Sequence, residues 1–317
     1  MTSELLARFA TIILDTLVPI ALGYFLHRAG WITKQGIDWV IKFNVRVVFT
    51  VLSILAFWKL RLTWEVMMVP VATVVMTFIP YFLMTVLTRR VADPLERGAM
   101  ITSGMLGNVG TLGGVICYLV IGPLGFSYVQ IMAAVLNVIL ILFNFPLCQR
   151  YRDMAQTAGQ SSLPKRSFVS LFFTWNQVAL LGMLLGMGLS FGEVDQPAAL
   201  EALFGPMVHI SAWIAFLPVG LLLDFRAATR AFRATVPIFP VKFLFLPIVM
   251  WVFCHLTMTD ETMLKAVVLV SACPTAINAV LACALYGLKT EVAISSLMST
   301  TLVYCALICP IMVWLFI

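Results

Sequence analysis

Two apolar stretches of this chain are interrupted by residues that break a helix and free backbone groups for binding. The first, residues 99–122, reads AMITSGMLGNVGTLGGVICYLVIG. It is long and apolar enough to cross a bilayer. Its middle nevertheless carries Gly104, Gly107, Asn108, Gly110, Thr111, Gly113 and Gly114. Each glycine costs about 1 kcal/mol in a helix interior relative to Ala, and a polar Asn108 is expensive at mid-depth. The second stretch, residues 263–286, reads MLKAVVLVSACPTAINAVLACALY and breaks at Pro274, followed by Thr275 and Asn278. Proline removes one backbone bond and clashes with the preceding turn. The chemistry on offer is recognition of an anion. A half-helix that restarts after a break presents unpaired N–H groups and partial positive charge at its N-terminus. Such termini are expected near Gly110–Thr111 and Thr275–Ala276. The competing reading of the first stretch is a glycine face for tight helix packing.

The breaks match in position. Each is followed by a turn and an apolar span ending in proline, Pro146 in ILFNFPL and Pro310 in ALICPIM, 164 residues apart. Asn108 shifted by that amount lands at 272, beside Pro274. Lipid leaves no backbone group unpaired, so both breaks must be buried in protein or line a wet cavity. Interrupted segments at matching positions of two halves point to a transporter site.

Other polar residues have candidate roles around the breaks. Lys42, Arg46, Thr50 and Ser53 recur at i, i+4, i+8 and i+11 on one helical face. Arg46 lies about nine residues into its span, roughly 14 Å deep at 1.5 Å per residue. An unpaired Arg at that depth costs at least about 3 kcal/mol. Asp15 is the carboxylate placed to neutralise it, as an ion pair holding the first two spans together. The alternative is that Arg46, with Thr50, faces the cavity and attracts an anion. Gln130, Asn137 and Asn144 recur at steps of seven, a narrow polar stripe suited to interhelical hydrogen bonds or to lining the cavity beside Asn108. Neither broken span nor its neighbours carries an acidic residue within the membrane. That disfavours a proton- or sodium-coupled cation exchanger, which would use such carboxylates. The three histidines are scattered and call for no metal, and no cofactor is called for. The seven cysteines all sit in apolar runs and read as small buried hydrophobes.

Composition sets the elements that must position these residues. The 317-residue chain is 62% hydrophobic and 11% charged, with a mean hydropathy of +1.04, which excludes a soluble enzyme. Hydropathy predicts ten spans, at about 9–27, 37–57, 66–87, 99–121, 128–148, 170–191, 206–223, 235–256, 263–285 and 293–316. The first lacks a basic start and a convincing cleavage site, so it is not expected to be a signal peptide. Loops after odd-numbered spans hold thirteen Lys and Arg, against about four on the alternate side. The positive-inside rule then puts both termini outside the cytoplasm. It also accounts for the net charge of +6 without nucleic acid. A polar linker, residues 151–167, separates a first five-helix repeat (1–150) from a second (168–317). Five spans per half invert the second half relative to the first. The predicted fold is therefore all-α and polytopic, ten transmembrane helices in two inverted repeats, with helices 4 and 9 broken at mid-membrane.

GNVGTLGG (107–114), CPTAINAVLACALYG (273–287) and VGLLLDF (219–225) are similar to segments of the auxin efflux carrier family, and the resemblance covers nearly the whole chain. The family includes plant PIN-formed carriers and bacterial malonate and malate permeases. The resemblance implies that helices 4 and 9 cross at their breaks. It implies a scaffold of helices 1, 2, 6 and 7 and a mobile transport domain of helices 3–5 and 8–10. It implies that Asn108, Val109, Gly110 and Pro274 border a substrate carboxylate. Two features depart from the family pattern: Thr50-Val51-Leu52 replaces a proline in helix 2, and Val115 replaces a proline after Gly114. The expectation is a secondary transporter of small organic anions, malonate- or malate-like or auxin-like, in a bacterial inner membrane. Its site is expected to draw on Asn108, Val109, Gly110, Thr111, Asn137, Pro274, Thr275, Asn278, Arg46 and Thr50. Protons are the candidate coupling ion and a homodimer the candidate assembly. The alternative is a membrane sensor that binds a carboxylate without moving it.

Overall fold

The computed structural model describes residues 2–31, 36, 39–40, 43–61, 63–157, 178–221 and 231–316. Lys42, residues 222–225 of VGLLLDF (Asp224 among them) and residues 158–167 of the linker lie outside them. The described residues are helical throughout, apart from short connections and one isolated backbone bridge. In chain order the helices are α1 (Thr2–Arg28), α2 (Phe49–Lys59, preceded by a π-helical turn Asn44–Val48), α3 (Met68–Leu87), α4 (Pro94–Met105), α5 (Val109–Ile121) and α6 (Pro123–Gln156). Then come α7 (Val178–Phe191), α8 (Ala198–Leu221), α9 (Phe232–Thr257), α10 (Glu261–Ser271), α11 (Ile277–Tyr286) and α12 (Thr290–Phe316). Five of the described helices are long and apolar enough to cross a membrane: Glu65–Leu87, Pro123–Gln156, Ala198–Leu217, Phe232–Thr257 and Thr290–Phe316. The predicted spans at 99–121 and 263–285 each become two shorter helices, α4 with α5 and α10 with α11.

Proline explains where several long helices widen. The π turns Leu140–Asn144, Val241–Phe245 and Tyr304–Ile308 end two residues before Pro146, Pro247 and Pro310. A proline can neither donate to the carbonyl four residues back nor pass it without a clash, so the preceding turn opens. The turns at Leu140 and Tyr304 stand 164 residues apart, like the prolines that follow them.

The helices pair in a crossed pattern. α1 packs along α8, and α7 packs along α2. Both contacts are close enough to exclude side chains. A Cβ on Gly220 of α8 would stand 1.9 Å from the Ile20 carbonyl oxygen, and one on Gly186 of α7 would stand 2.5 Å from that of Ile54. Backbones approach this closely only where glycine leaves the space. A second group of helices, α3–α6 with α10, and α4 with α11 and α12, packs into the interior that holds the site.

The connections sort onto two ends of the bundle. At one end Lys289 bonds Asp93 at 2.8 Å and Glu96 at 2.7 Å, joining the turn before α4 to the turn after α11. At the other, Tyr128 donates to Asp260 at 3.3 Å, and Thr259 contacts Glu65. The Asp93 carboxyl lies below its usual range. Partial burial opposes this, but the Lys289 bond and the Leu95 N–H outweigh it. The Lys289 ammonium is held above its usual range by its bonds to Asp93 and Glu96.

Candidate functional site

The two interrupted helices meet at their breaks. α4 is started by Asp93, whose carboxylate accepts from the Leu95 N–H at 2.9 Å. α10 is started likewise by Asp260, which accepts from Thr262 and Met263 at 2.7 and 3.0 Å. Both helices then run inward and stop. Leu106 turns extended, with φ −91° and ψ 117°. Gly107 lies opposite Thr275 in an antiparallel bridge. The Asn108 N–H donates to the Pro274 carbonyl at 2.8 Å, and the Ala276 N–H donates to the Leu106 carbonyl at 3.0 Å. The backbone groups that the breaks release therefore satisfy one another, as a dry interior requires.

Thr275 locks the joint further. It is fully buried, and its hydroxyl donates to the Ser103 carbonyl at 3.0 Å. Ser103 is among the last residues of α4, whose carbonyls have no partner within the helix. The Thr275 N–H donates to the Thr300 hydroxyl of α12 at 3.0 Å. Gly113 is the glycine that contact with the second break demands. A Cβ there would stand 3.0 Å from Cys273 Sγ and 3.1 Å from Val270, whereas one on Gly107 would meet only ordinary contacts at 3.5 Å or more.

The open donors differ from the sequence expectation. The Thr275 and Ala276 N–H groups are both consumed at the joint, so α11 offers those of Ile277 and the exposed Asn278 instead. α5 restarts at Val109, earlier than expected, because the break falls at Leu106–Asn108. Its first N–H groups belong to Val109, Gly110, Thr111 and Leu112, and no side chain caps them. Asn108 is 8% exposed. Its side-chain oxygen accepts from the Thr111 hydroxyl, which leaves the amide nitrogen as the donor. Asn108, Val109, Gly110, Thr111, Pro274 and Thr275 are thus brought together.

The remaining expected residues are distributed around the joint. Gln130 donates to the Gly110 carbonyl at 3.4 Å. Asn144 donates to the Thr102 hydroxyl at 3.3 Å, so these two members of the polar stripe make interhelical bonds to the broken helix. Asn137 is half-buried, and its carbonyl accepts from Leu140 at the π turn. Thr50 uses its hydroxyl on the Arg46 carbonyl at 2.7 Å, and Arg46 itself is half-buried in the π turn Asn44–Val48. Asp15 has partners that the sequence did not suggest: its carboxylate contacts His209 and accepts from Trp213 Nε1 at 3.0 Å, both on α8. The physical reason is the α1–α8 contact, which the spacing of the first two spans does not reveal. All seven cysteines are free and buried.

Lys242 was missed in the sequence. It is 1% exposed, and its ammonium donates to the Leu106 carbonyl at 3.0 Å, on the joint itself. The signal was available: an ionisable residue inside an apolar span is a functional candidate by default.

A bundle of apolar helices folded around two helix breaks that bond to each other is the architecture of a multi-pass membrane protein. The sequence pattern of the membrane transport protein family matches residues 9–314. The chain belongs to that family, the auxin efflux carrier family it resembles in sequence. It is a transport family rather than an enzymatic one. No curated protein matches the chain.

Proposed function

We propose that this protein is a secondary transporter of small organic carboxylates, binding its substrate where the two broken helices meet and moving it by alternating access. The observation that carries the reading is the joint itself. It holds the uncapped N–H groups of Val109–Leu112, with Gly110 and Thr111 half-buried, and the amide of Asn108, and helix N-termini favour anions.

The ten-helix inverted repeat is part of the same reading. An exchange of halves turns the α1–α8 contact into the α7–α2 contact, and both are glycine-mediated. It turns the π turn at Leu140 into that at Tyr304. The Lys289–Asp93 contact gathers two basic loops at one end, as the positive-inside orientation requires. We assign residues 1–150 and 168–317 to the two repeats, and both termini to the non-cytoplasmic side of a bacterial inner membrane. Predicted helices 1, 2, 6 and 7 (α1, α2, α7 and α8) form the scaffold, and predicted helices 3–5 and 8–10 (α3–α6 and α9–α12) the moving domain.

The test is uptake of labelled malonate, malate and acetate into proteoliposomes holding the purified protein. Flux of at least one is expected in the wild type. Asn108→Ala is expected to abolish it with folded protein retained in the membrane. Wild-type flux in Asn108→Ala would remove the joint as the substrate site.

A further inference from the structure

We propose that Lys242 is the counter-charge for the substrate carboxylate, an inference that rests on the carboxylate-transport reading above. Lys242 projects from the π turn Val241–Phe245 of α9 and is 1% exposed. Its ammonium has three donors, and one of them reaches the Leu106 carbonyl at 3.0 Å. Among the described residues no carboxylate pairs with it. The other groups facing it are the Cys273 thiol and, beside that thiol, the Tyr304 hydroxyl.

A buried cation without a counter-charge costs several kcal/mol, so its presence needs a reason other than packing. Closing the joint is not that reason. The Leu106 carbonyl already accepts the Ala276 N–H at 3.0 Å, and an apolar side chain would fill the same volume without the penalty. What the position lacks is an anion, and the adjoining groups are those that bind one. Leu106 is two residues from Asn108 and three from Val109, where the uncapped N–H groups of α5 begin. A carboxylate held there by the amide of Asn108 and the helix terminus would supply the missing negative charge. Lys242 is covered in this structure and travels with the joint in the moving domain, so the carboxylate meets it by reorientation of the lysine side chain. The flexible lysine stem and the open π turn beneath it allow that reach.

The test uses purified protein in detergent, with malonate, malate, acetate and the neutral malonamide as probes, read by calorimetry and thermal shift. The wild type should bind at least one carboxylate and not malonamide. Lys242→Met matches the length, removes the uncompensated charge and should fold with a melting temperature at or above wild type. Its carboxylate affinity should fall at least about tenfold, the worth of a charge-assisted bond. Lys242→Gln keeps a donor for Leu106 but no charge, and should lose affinity equally. Wild-type affinity in Lys242→Met would overturn the proposal. So would retention in Lys242→Gln with loss in Lys242→Met, the pattern of a lysine that only pins α9 to the joint. Failure of every carboxylate to bind the wild type would overturn the transport reading, and this inference with it.

Discussion

Thr275→Val tests whether the joint is held as described. Valine has the shape of threonine and lacks the hydroxyl. Thr275 and Ser103 are both fully buried, and the bond between the Thr275 hydroxyl and the Ser103 carbonyl is 3.0 Å. The substitution strands that carbonyl at the end of α4, where no helical donor replaces the lost one. An unsatisfied buried acceptor costs about 1–3 kcal/mol. At roughly 2–4 °C per kcal/mol for a chain of this size, melting should fall by several degrees. Thr275→Ser keeps the hydroxyl and gives up one methyl, so it should lose about 1 kcal/mol at most. The assay is thermal unfolding of the purified protein in one detergent, with proteoliposome flux measured in parallel. Flux should fall in the valine variant and survive in the serine variant. Equal melting temperatures for Thr275→Val and wild type would show that the hydroxyl bond does not hold the breaks together. A serine variant as damaged as the valine would put the effect down to packing.

Within α7, Gly186→Ala drives a Cβ into the Ile54 carbonyl, while Gly188→Ala meets nothing within 4 Å. The first should destabilise by about 1–3 kcal/mol and the second should gain up to about 1 kcal/mol of helix propensity; equal melting temperatures would refute the α7–α2 contact. The Lys289 latch should depend on pH in both directions. The lowered Asp93 carboxyl contributes stability above its unfolded range that disappears as pH falls through its folded value, below roughly pH 4. The raised Lys289 contributes stability below its unfolded range that disappears as pH rises through its folded value, beyond roughly pH 10. Comparing pH–stability curves for wild type and Lys289→Met checks this, and curves that stay parallel at both extremes would rule the latch out.

The sequence by itself determined the class and the two special places. An overall composition of 62% hydrophobic residues leaves no soluble fold open. Glycine density around Asn108 and the lone Pro274 in its span mark the breaks, because propensity and the missing proline N–H act locally. The tertiary structure decided how the freed groups are used. The N–H of Ala276 was legible as free in the sequence and is bonded to Leu106, because its partner lies 170 residues away. Asp15 was a candidate partner for Arg46 as a carboxylate inside the first span, and the α1–α8 contact gives it His209 and Trp213. Lys242 was visible only as one basic residue in an apolar run, and its place on the Leu106 carbonyl follows from α9 packing against a joint built by two other helices. Helix breaks are one-dimensional events set by backbone chemistry. The partners that satisfy a buried carbonyl or carboxylate are chosen by which helices pack together, and local propensity carries no record of that choice.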